Sequence, residues 1–396
     1  MKIERLAPFI TLTLFVLFLC SCIPSAGEAE GWPGVSSHNG LLYTAAGDGS
    51  VMALNSSARL DGLAFPSLAD GEWYFRIEVP AGGGVSCGPS SVAAAFYGAP
   101  VVGEDLVYVG TYSGDVLAMS PSARSQNLTF PQRGSDEWVC PLPGNIVGQP
   151  VIDGNTLYVP SSDGRVYGLD AIYGDVRWKS GPLDDKLWTG PAIEGDTIYV
   201  STFEDYVYGL PTEGASLGND VEPSWAFKGD AGFVSSPVLR DDMVFVGSFD
   251  RNVYGVRVGE SEATWKFAGG NWFWAAPVID EGVVYAGCFD GKIYALDAET
   301  GDELWEFDTA SQIVASPVLV GDLLVVACDS GEVYILRTDT VVDERLASGP
   351  VSVDAPIRGS ICAQGGTAYI RAQNDRLYAL DVERGRIIWE FALTTE

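Results

Sequence analysis

The chain has 396 residues, 53 acidic and 23 basic, for a formal net charge of −30, and it has a single histidine. A surface of that sign repels nucleic-acid phosphates and anionic headgroups, so a nucleic-acid-binding role is disfavoured. One histidine, His38, leaves no basis for a Ser-His-Asp triad or a multi-histidine metal site.

Residues 1–21 read as an export signal. Lys2 and Arg5 precede the apolar run Leu6–Cys20, whose fifteen residues are short for a membrane span. Leu19-Cys20-Ser21-Cys22 resembles the bacterial lipobox, which places Cys22 at the lipid-modified position. Cys20 departs from the small residue usual at its slot, and an ordinary cleaved signal is the alternative. Residues 22–31 read as a flexible tether, since Ser25–Gly31 is small and acidic with nothing to bury. Lipidated Cys22 would hold the chain outside the cytoplasm, in the cell envelope.

From residue 32 to 396 the chain repeats itself. The stretch Ala276–Phe307 is the clearest copy. It holds four short apolar runs separated by Asp280-Glu281-Gly282, Asp290-Gly291 and Glu299-Thr300-Gly301-Asp302. Such turns favour hairpins because glycine adopts positive φ without strain, so each copy predicts a four-stranded antiparallel meander. Proline opens the first run at Pro100, Pro150, Pro191, Pro237, Pro277 and Pro317. Tryptophan marks the fourth run at Trp73, Trp138, Trp178, Trp225, Trp265, Trp305 and Trp389. Between the last two, the same spacing falls on Arg345.

These marks give eight units. Units one and two carry insertions at Asn55–Glu72 and Ser120–Glu137, and unit four a smaller one around Thr212–Glu222. A sheet of about forty residues cannot bury both faces alone, whereas eight packed radially can. The sequence therefore predicts an all-β, eight-bladed β-propeller, monomeric, with the proline run innermost and the tryptophan run outermost. Each indole is expected to pack between blades and seek a backbone acceptor.

Ala295-Leu296-Asp297-Ala298-Glu299-Thr300-Gly301-Asp302-Glu303-Leu304-Trp305 resembles the tryptophan-docking motif of the pyrroloquinoline-quinone (PQQ)-like repeat family. Looser copies run from Gly168 to Trp178 and from Ala379 to Trp389. The resemblance implies the propeller fold over most of the chain, and it leaves three functions open. Quinoprotein dehydrogenases hold PQQ with Ca²⁺ in the central funnel, many against a disulfide between adjacent cysteines. This chain has no adjacent cysteines and no recognisable calcium set. The BamB branch comprises lipid-anchored propellers of the machine that assembles outer-membrane β-barrels, and it matches in length, lipobox and lack of catalytic residues. A third branch comprises envelope propellers that sense a ligand. The resemblance favours a non-catalytic scaffold that binds envelope proteins or an extracytoplasmic ligand, without cofactor or metal.

The seven cysteines contain no C-x-x-C pair, so neither a zinc site nor a thioredoxin-like centre is expected. Cys288 and Cys328 occupy equivalent places in successive units and read as buried thiols, and Cys362 reads as core. Cys87 and Cys140 flank unit two and are candidates for a disulfide in an oxidising compartment. The carboxylates fall mostly at turns, where they bond the local backbone. One cluster exceeds the template. The loop Gly269–Trp274 carries Trp272, Phe273 and Trp274, and Trp188 matches Trp274 two units earlier. Trp188 and Trp274 each precede their proline by three residues, where Val234 and Val314 stand elsewhere. These aromatics either line one mouth of the central channel, as a binding site, or plug the axis as core.

Overall fold

The computed structural model describes residues 31–57, 71–80, 91–121, 130, 136–212, 220–338 and 346–394. The expected signal, Cys22, Cys87 and Arg345 lie outside them. Eight four-stranded antiparallel sheets span residues 36–76, 101–141, 151–179, 192–228, 238–268, 278–308, 318–352 and 362–392. They are the eight blades of the propeller. An additional hairpin, Glu78–Pro80 with Ser91–Ala93, joins the first blade to the second. The expected insertions fall where they should, between the third and outer strands of blades 1, 2 and 4.

Blade 6 shows why the sequence folds this way. Its second strand Val283–Gly287 pairs with its third, Lys292–Asp297, setting Tyr285 across from Ala295. Alternation then sends Val284, Ala286, Tyr294 and Leu296 to blade 5, where Phe245 and Trp265 meet them. Tyr285, Ile293 and Ala295 face Leu324, Val326 and Leu336 of blade 7. Both faces of a blade are apolar, so each is stable only between neighbours.

The outer-strand indoles bind the blades together. Trp138 donates its N–H to the Ala171 carbonyl at 3.1 Å, Trp265 to Ala298 at 2.9 Å, and Trp225 to Glu260 at 2.8 Å, each in the following blade. Trp73 donates to the Pro121 carbonyl at 3.1 Å. The indoles of Trp138 and Trp265 lie flat on Gly174 and Gly301, whose φ values are 76° and 75°. A Cβ at either glycine would stand 2.6 Å from the ring, so the turn requires glycine twice over, for conformation and for space. Trp178 packs edge-on against Tyr158, but its N–H is buried without an acceptor. Trp305 and Trp389 pack on Tyr285 and Tyr369 in their own blades.

Blade 7 departs from the expected spacing. Elsewhere the tryptophan pairs with the middle of the third strand, as Trp305 does with Ala295. In blade 7 the residue opposite Ile335 is Ser348, not Arg345. Ten residues separate Leu336 from its partner Leu346, against seven between Leu296 and Glu303. The turn is longer, so counting from the third strand lands short.

The ring closes without a shared strand. Blades 1 and 8 are each one continuous stretch, joined by contacts across the seam. The Val35 amide donates to the Ser360 carbonyl at 3.3 Å, and the Gly47 amide to the Asp375 carboxylate at 3.1 Å. Behind Asp375 lies Arg371, with its side chain 4% exposed and its guanidinium 2.6 Å from that carboxylate. The residues that match Arg371 in blades 5, 6 and 7 are Gly247, Gly287 and Ala327.

The turn aspartates explain part of the acidic count. Asp297 accepts from the amides of Thr300 and Glu299, both at 2.9 Å, and Asp381 from that of Arg384 at 3.0 Å. These backbone bonds, led by those from Thr300 and Arg384, hold both carboxyls below the ordinary 3.8. A depressed folded pKa means the charged form is favoured on folding. Its stabilisation is complete above the unfolded value and is lost as pH falls through the folded one. The melting temperature is therefore expected to hold from neutral pH down to about pH 5 and to fall below about pH 4. In D297N/D381N that acid-side drop should be shallower; an identical profile would show that these turns do not contribute.

Candidate functional site

The inter-blade loops bring eight equivalent side chains to one mouth of the axial channel. Trp188 and Trp274 stand three residues before the inner-strand prolines of blades 4 and 6. The same slot in the other blades holds Trp32, Tyr97, Val147, Val234, Val314 and Arg358. All eight line a single cavity of about 460 Å³. A second ring lies two residues on, where Ala99, Gln149, Gly190, Ser236, Ala276, Ser316 and Ser360 form a floor of small and polar groups. The Ser236 and Ser316 hydroxyls accept the amides of Gly190 and Ala276 in the preceding blades, at 2.9 and 3.0 Å.

The turn between the second and third strands supplies a further aromatic tier. Phe203 packs on Trp188 at 4.8 Å and on Phe249 at 5.3 Å. Phe249 meets Trp272 at 5.1 Å and Trp274 at 6.0 Å, and Phe289 touches both of those indoles. A continuous aromatic arc thus runs over blades 4 to 6. Across the mouth, Tyr97 bridges Trp32 at 5.0 Å and Tyr112 at 5.3 Å. Aspartates anchor two of these turns, Asp250 accepting the Asn252 amide and Asp290 the Lys292 amide, both at 2.9 Å. Asp290 also accepts the Tyr294 hydroxyl at 2.6 Å and the Gly270 amide at 2.9 Å. Burial and that carboxylate push the Tyr294 phenol far above its usual range, so it stays protonated.

Two cations approach the aromatic walls. The Arg358 guanidinium lies 6.0 Å over Trp32, and Lys186 lies 5.5 Å over Trp188. Arg358 is also clamped by Asp329, at 2.7 and 3.3 Å. The indole N–H of Trp188 is buried without an acceptor, so the ring is held by Phe203 and Lys186 rather than by a hydrogen bond.

The four aromatics singled out from sequence divide. Trp188 and Trp274 line the cavity together, and Trp272 is half-buried behind them between Phe249 and Phe289. Phe273 does not belong to the mouth. It is 1% exposed and packs on Tyr294 in the core between blades 5 and 6, because consecutive residues of an extended loop point to opposite sides. Trp32, Tyr97 and Arg358 were missed. Tyr97 precedes Pro100 by three residues and was legible, but Val35 and Ile361 replace the proline in blades 1 and 8 and hide the other two.

Cysteine chemistry is confined. Burial pushes the Cys288 thiol up to about 12 and that of Cys328 to about 11, so both stay protonated and unreactive. Cys362 is half-buried, with its sulfur 3.2 Å from the Ser37 hydroxyl. Cys140 is a half-buried free thiol on the outer strand of blade 2. Among the described residues no three His, Cys, Asp or Glu side chains converge as metal ligands. Nor does the mouth suit PQQ. A tricarboxylate would need several uncommitted cations, and Arg358 is already neutralised by Asp329.

Eight antiparallel blades, tied by outer-strand indoles and open at an aromatic axial mouth, define a PQQ-like repeat propeller. The family described as outer membrane protein assembly factor BamB matches residues 89–180 and 174–391, and this chain belongs to it. The outer membrane protein assembly factor BamB of Nitrosomonas eutropha (strain DSM 101675 / C91 / Nm57) is 25% identical over 140 residues, 35% of this chain. The matched segment spans 25% of that relative's length. BamB from Moraxella catarrhalis superposes with a TM-score of 0.60 at 16% identity, covering 88% of this chain and 91% of that one. The computationally designed Ika8 protein superposes at 0.62 with 11% identity, covering 88% and 95%. At those identities the two structures share the fold and nothing finer.

Proposed function

We propose that this chain is a non-catalytic scaffold of the cell envelope, anchored by lipid at Cys22, that acts in outer-membrane protein assembly. In this reading the axial mouth grips a partner. Family membership supports the assembly role, and the lipobox-like Leu19–Cys22 supports the anchor. The observation that carries the binding role is the ring of eight slots. Five of the eight are Trp, Tyr or Arg, around an open cavity with a floor of small groups. A mouth meant only to be sealed would be closed by those side chains, whereas this one remains about 460 Å³ in volume. Aromatic and arginine side chains in a concave site are the groups that contribute most to protein recognition.

The test is affinity capture from detergent-solubilised envelope with the wild type and with W188A/W274A. The double variant should lose most of the outer-membrane assembly components captured by the wild type, at least tenfold by quantitative mass spectrometry. Its melting temperature should stay within about 3 °C, since both rings border open space. An unchanged captured set would remove the mouth from the binding role. Dye-linked alcohol or sugar oxidation on adding PQQ and Ca²⁺ would overturn the non-catalytic reading.

A further inference from the structure

The outer turn of blade 3 breaks the template. It joins the strands Arg165–Asp170 and Val176–Lys179 and reads Ala171-Ile172-Tyr173-Gly174-Asp175. Where it carries Ile172 and Tyr173, the same turn carries Glu299 and Thr300 in blade 6, and Glu383 and Arg384 in blade 8. Ile172 is 42% exposed, Tyr173 68% and Val176 40%. These are three of the seven exposed large apolar side chains among the described residues, and they fall within five consecutive positions. Scattered singly such residues need no explanation, but gathered on one turn they mark a contact surface. The Tyr173 ring and hydroxyl have no partner among the described residues.

The backbone beneath these side chains is fixed. The Ile172 and Tyr173 amides donate to the Asp170 carboxylate at 2.8 and 2.7 Å, and the Ala171 amide to the Asn155 carbonyl at 2.9 Å. Blade 2 pins the turn from the other side. The Tyr108 hydroxyl and the Trp138 indole both donate to the Ala171 carbonyl, at 2.9 and 3.1 Å, and the indole lies on Gly174. A partner landing here has little of this backbone left to order, which lowers the entropy cost of association.

Charge selects the occupant. Asp175 lies in the turn, Asp153 ends the inner strand of the same blade, and Asp136 stands two residues before Trp138. All three are exposed, and none has an ion-pair partner among the described residues. The nearby cation, Arg177, is taken by Asp170. A second copy of the chain would bring the same carboxylates and a formal net charge of −30 against them, and anionic headgroups would be repelled likewise. We propose that this turn docks a partner polypeptide whose contacting segment alternates apolar side chains with lysine or arginine. Ile172 and Tyr173 supply the apolar contact, and Asp153 and Asp175 face the basic groups. Tyrosine on a rigid support is among the side chains that contribute most to such contacts.

The test titrates the purified full chain into the fluorescein-labelled peptide Lys-Leu-Lys-Phe-Leu-Lys and reads fluorescence anisotropy. Two counterparts carry glutamate for every lysine, or serine for leucine and phenylalanine. The basic apolar peptide should bind, the serine peptide about fivefold more weakly or worse, and the glutamate peptide not at all. I172E/Y173T writes the turn of blade 6 into blade 3, so it should keep the wild-type melting temperature. It should nonetheless lose about fivefold or more in affinity, although it adds a negative charge. D153N/D175N should weaken binding and flatten its dependence on salt. W188A/W274A should bind the peptide as the wild type does, which separates this turn from the mouth and from the function proposed for it. No binding by the wild type, equal affinity in I172E/Y173T, or a bound glutamate peptide would overturn the proposal. A wild-type dimer that I172E/Y173T converts to monomer would overturn it too, by placing a second copy of this chain on the turn.

Discussion

Replacing Trp73 with alanine is expected to lower the free energy of unfolding by about 3–5 kcal/mol, the range for deleting a fully buried large aromatic. Trp73 is 0% exposed, the most enclosed of the outer-strand indoles. It packs 6.5 Å from Tyr43 and shares a cluster with Ile77, Phe96 and Val107. Its loss opens a cavity and strands the Pro121 carbonyl, to which it donates. Urea denaturation followed by circular dichroism reads the effect as a lower midpoint. A change below about 1 kcal/mol would mean the indoles are decoration and the blades hold by their inner strands. Trp225 has its N–H bond at an exposed position and should cost less on the same substitution.

The second large effect is expected at Arg371 and Asp375. D375N removes the counter-charge of a guanidinium whose side chain is 4% exposed, while asparagine tolerates the left-handed backbone (φ 51°). Breaking a buried pair from one side costs about 3–5 kcal/mol, because the remaining charge cannot reach water. Burial already lowers the Arg371 pKa, and Asp375 is what opposes that shift. R371A should be milder, since the Asp375 side chain is 28% exposed and can be solvated. The double variant R371A/D375G should recover most of the loss. It converts the seam to the pattern of blade 7, where Ala327 and Gly331 hold these positions, and apolar replacement of a buried pair is often neutral. A double variant as unstable as D375N would show that the pair itself closes the ring.

Much of the architecture was legible in the sequence because its signals are local. Asp290-Gly291 and Glu299-Thr300-Gly301 set hairpins within a few residues, and alternation in Val283–Gly287 already faces both neighbours. The outer tryptophans of blades 3, 6 and 8 could be read for the same reason, since Trp178, Trp305 and Trp389 each stand four residues after the turn glycine. Where the turn lengthens, counting fails, and Ser348 rather than Arg345 takes the register. The mouth was half legible. Trp188 and Trp274 share a slot visible from proline, but Phe203, Phe249 and Phe289 belong to a different turn. Only the radial packing of blades carries that turn to the axis, and such proximity has no local signal. Phe273 was misassigned because composition marks a loop as aromatic without marking which side each ring takes.

Each blade is one uninterrupted stretch, so no sheet depends on a strand arriving from the far end of the chain. The place where the circle is cut is then a matter of convention, not of architecture. Rejoining the present ends and cutting at another inter-blade loop should give a permuted chain of the same shape. Under mechanical load the blade 1–blade 8 boundary would part by sliding side chains rather than by unzipping a ladder, leaving eight intact sheets on an opened ribbon.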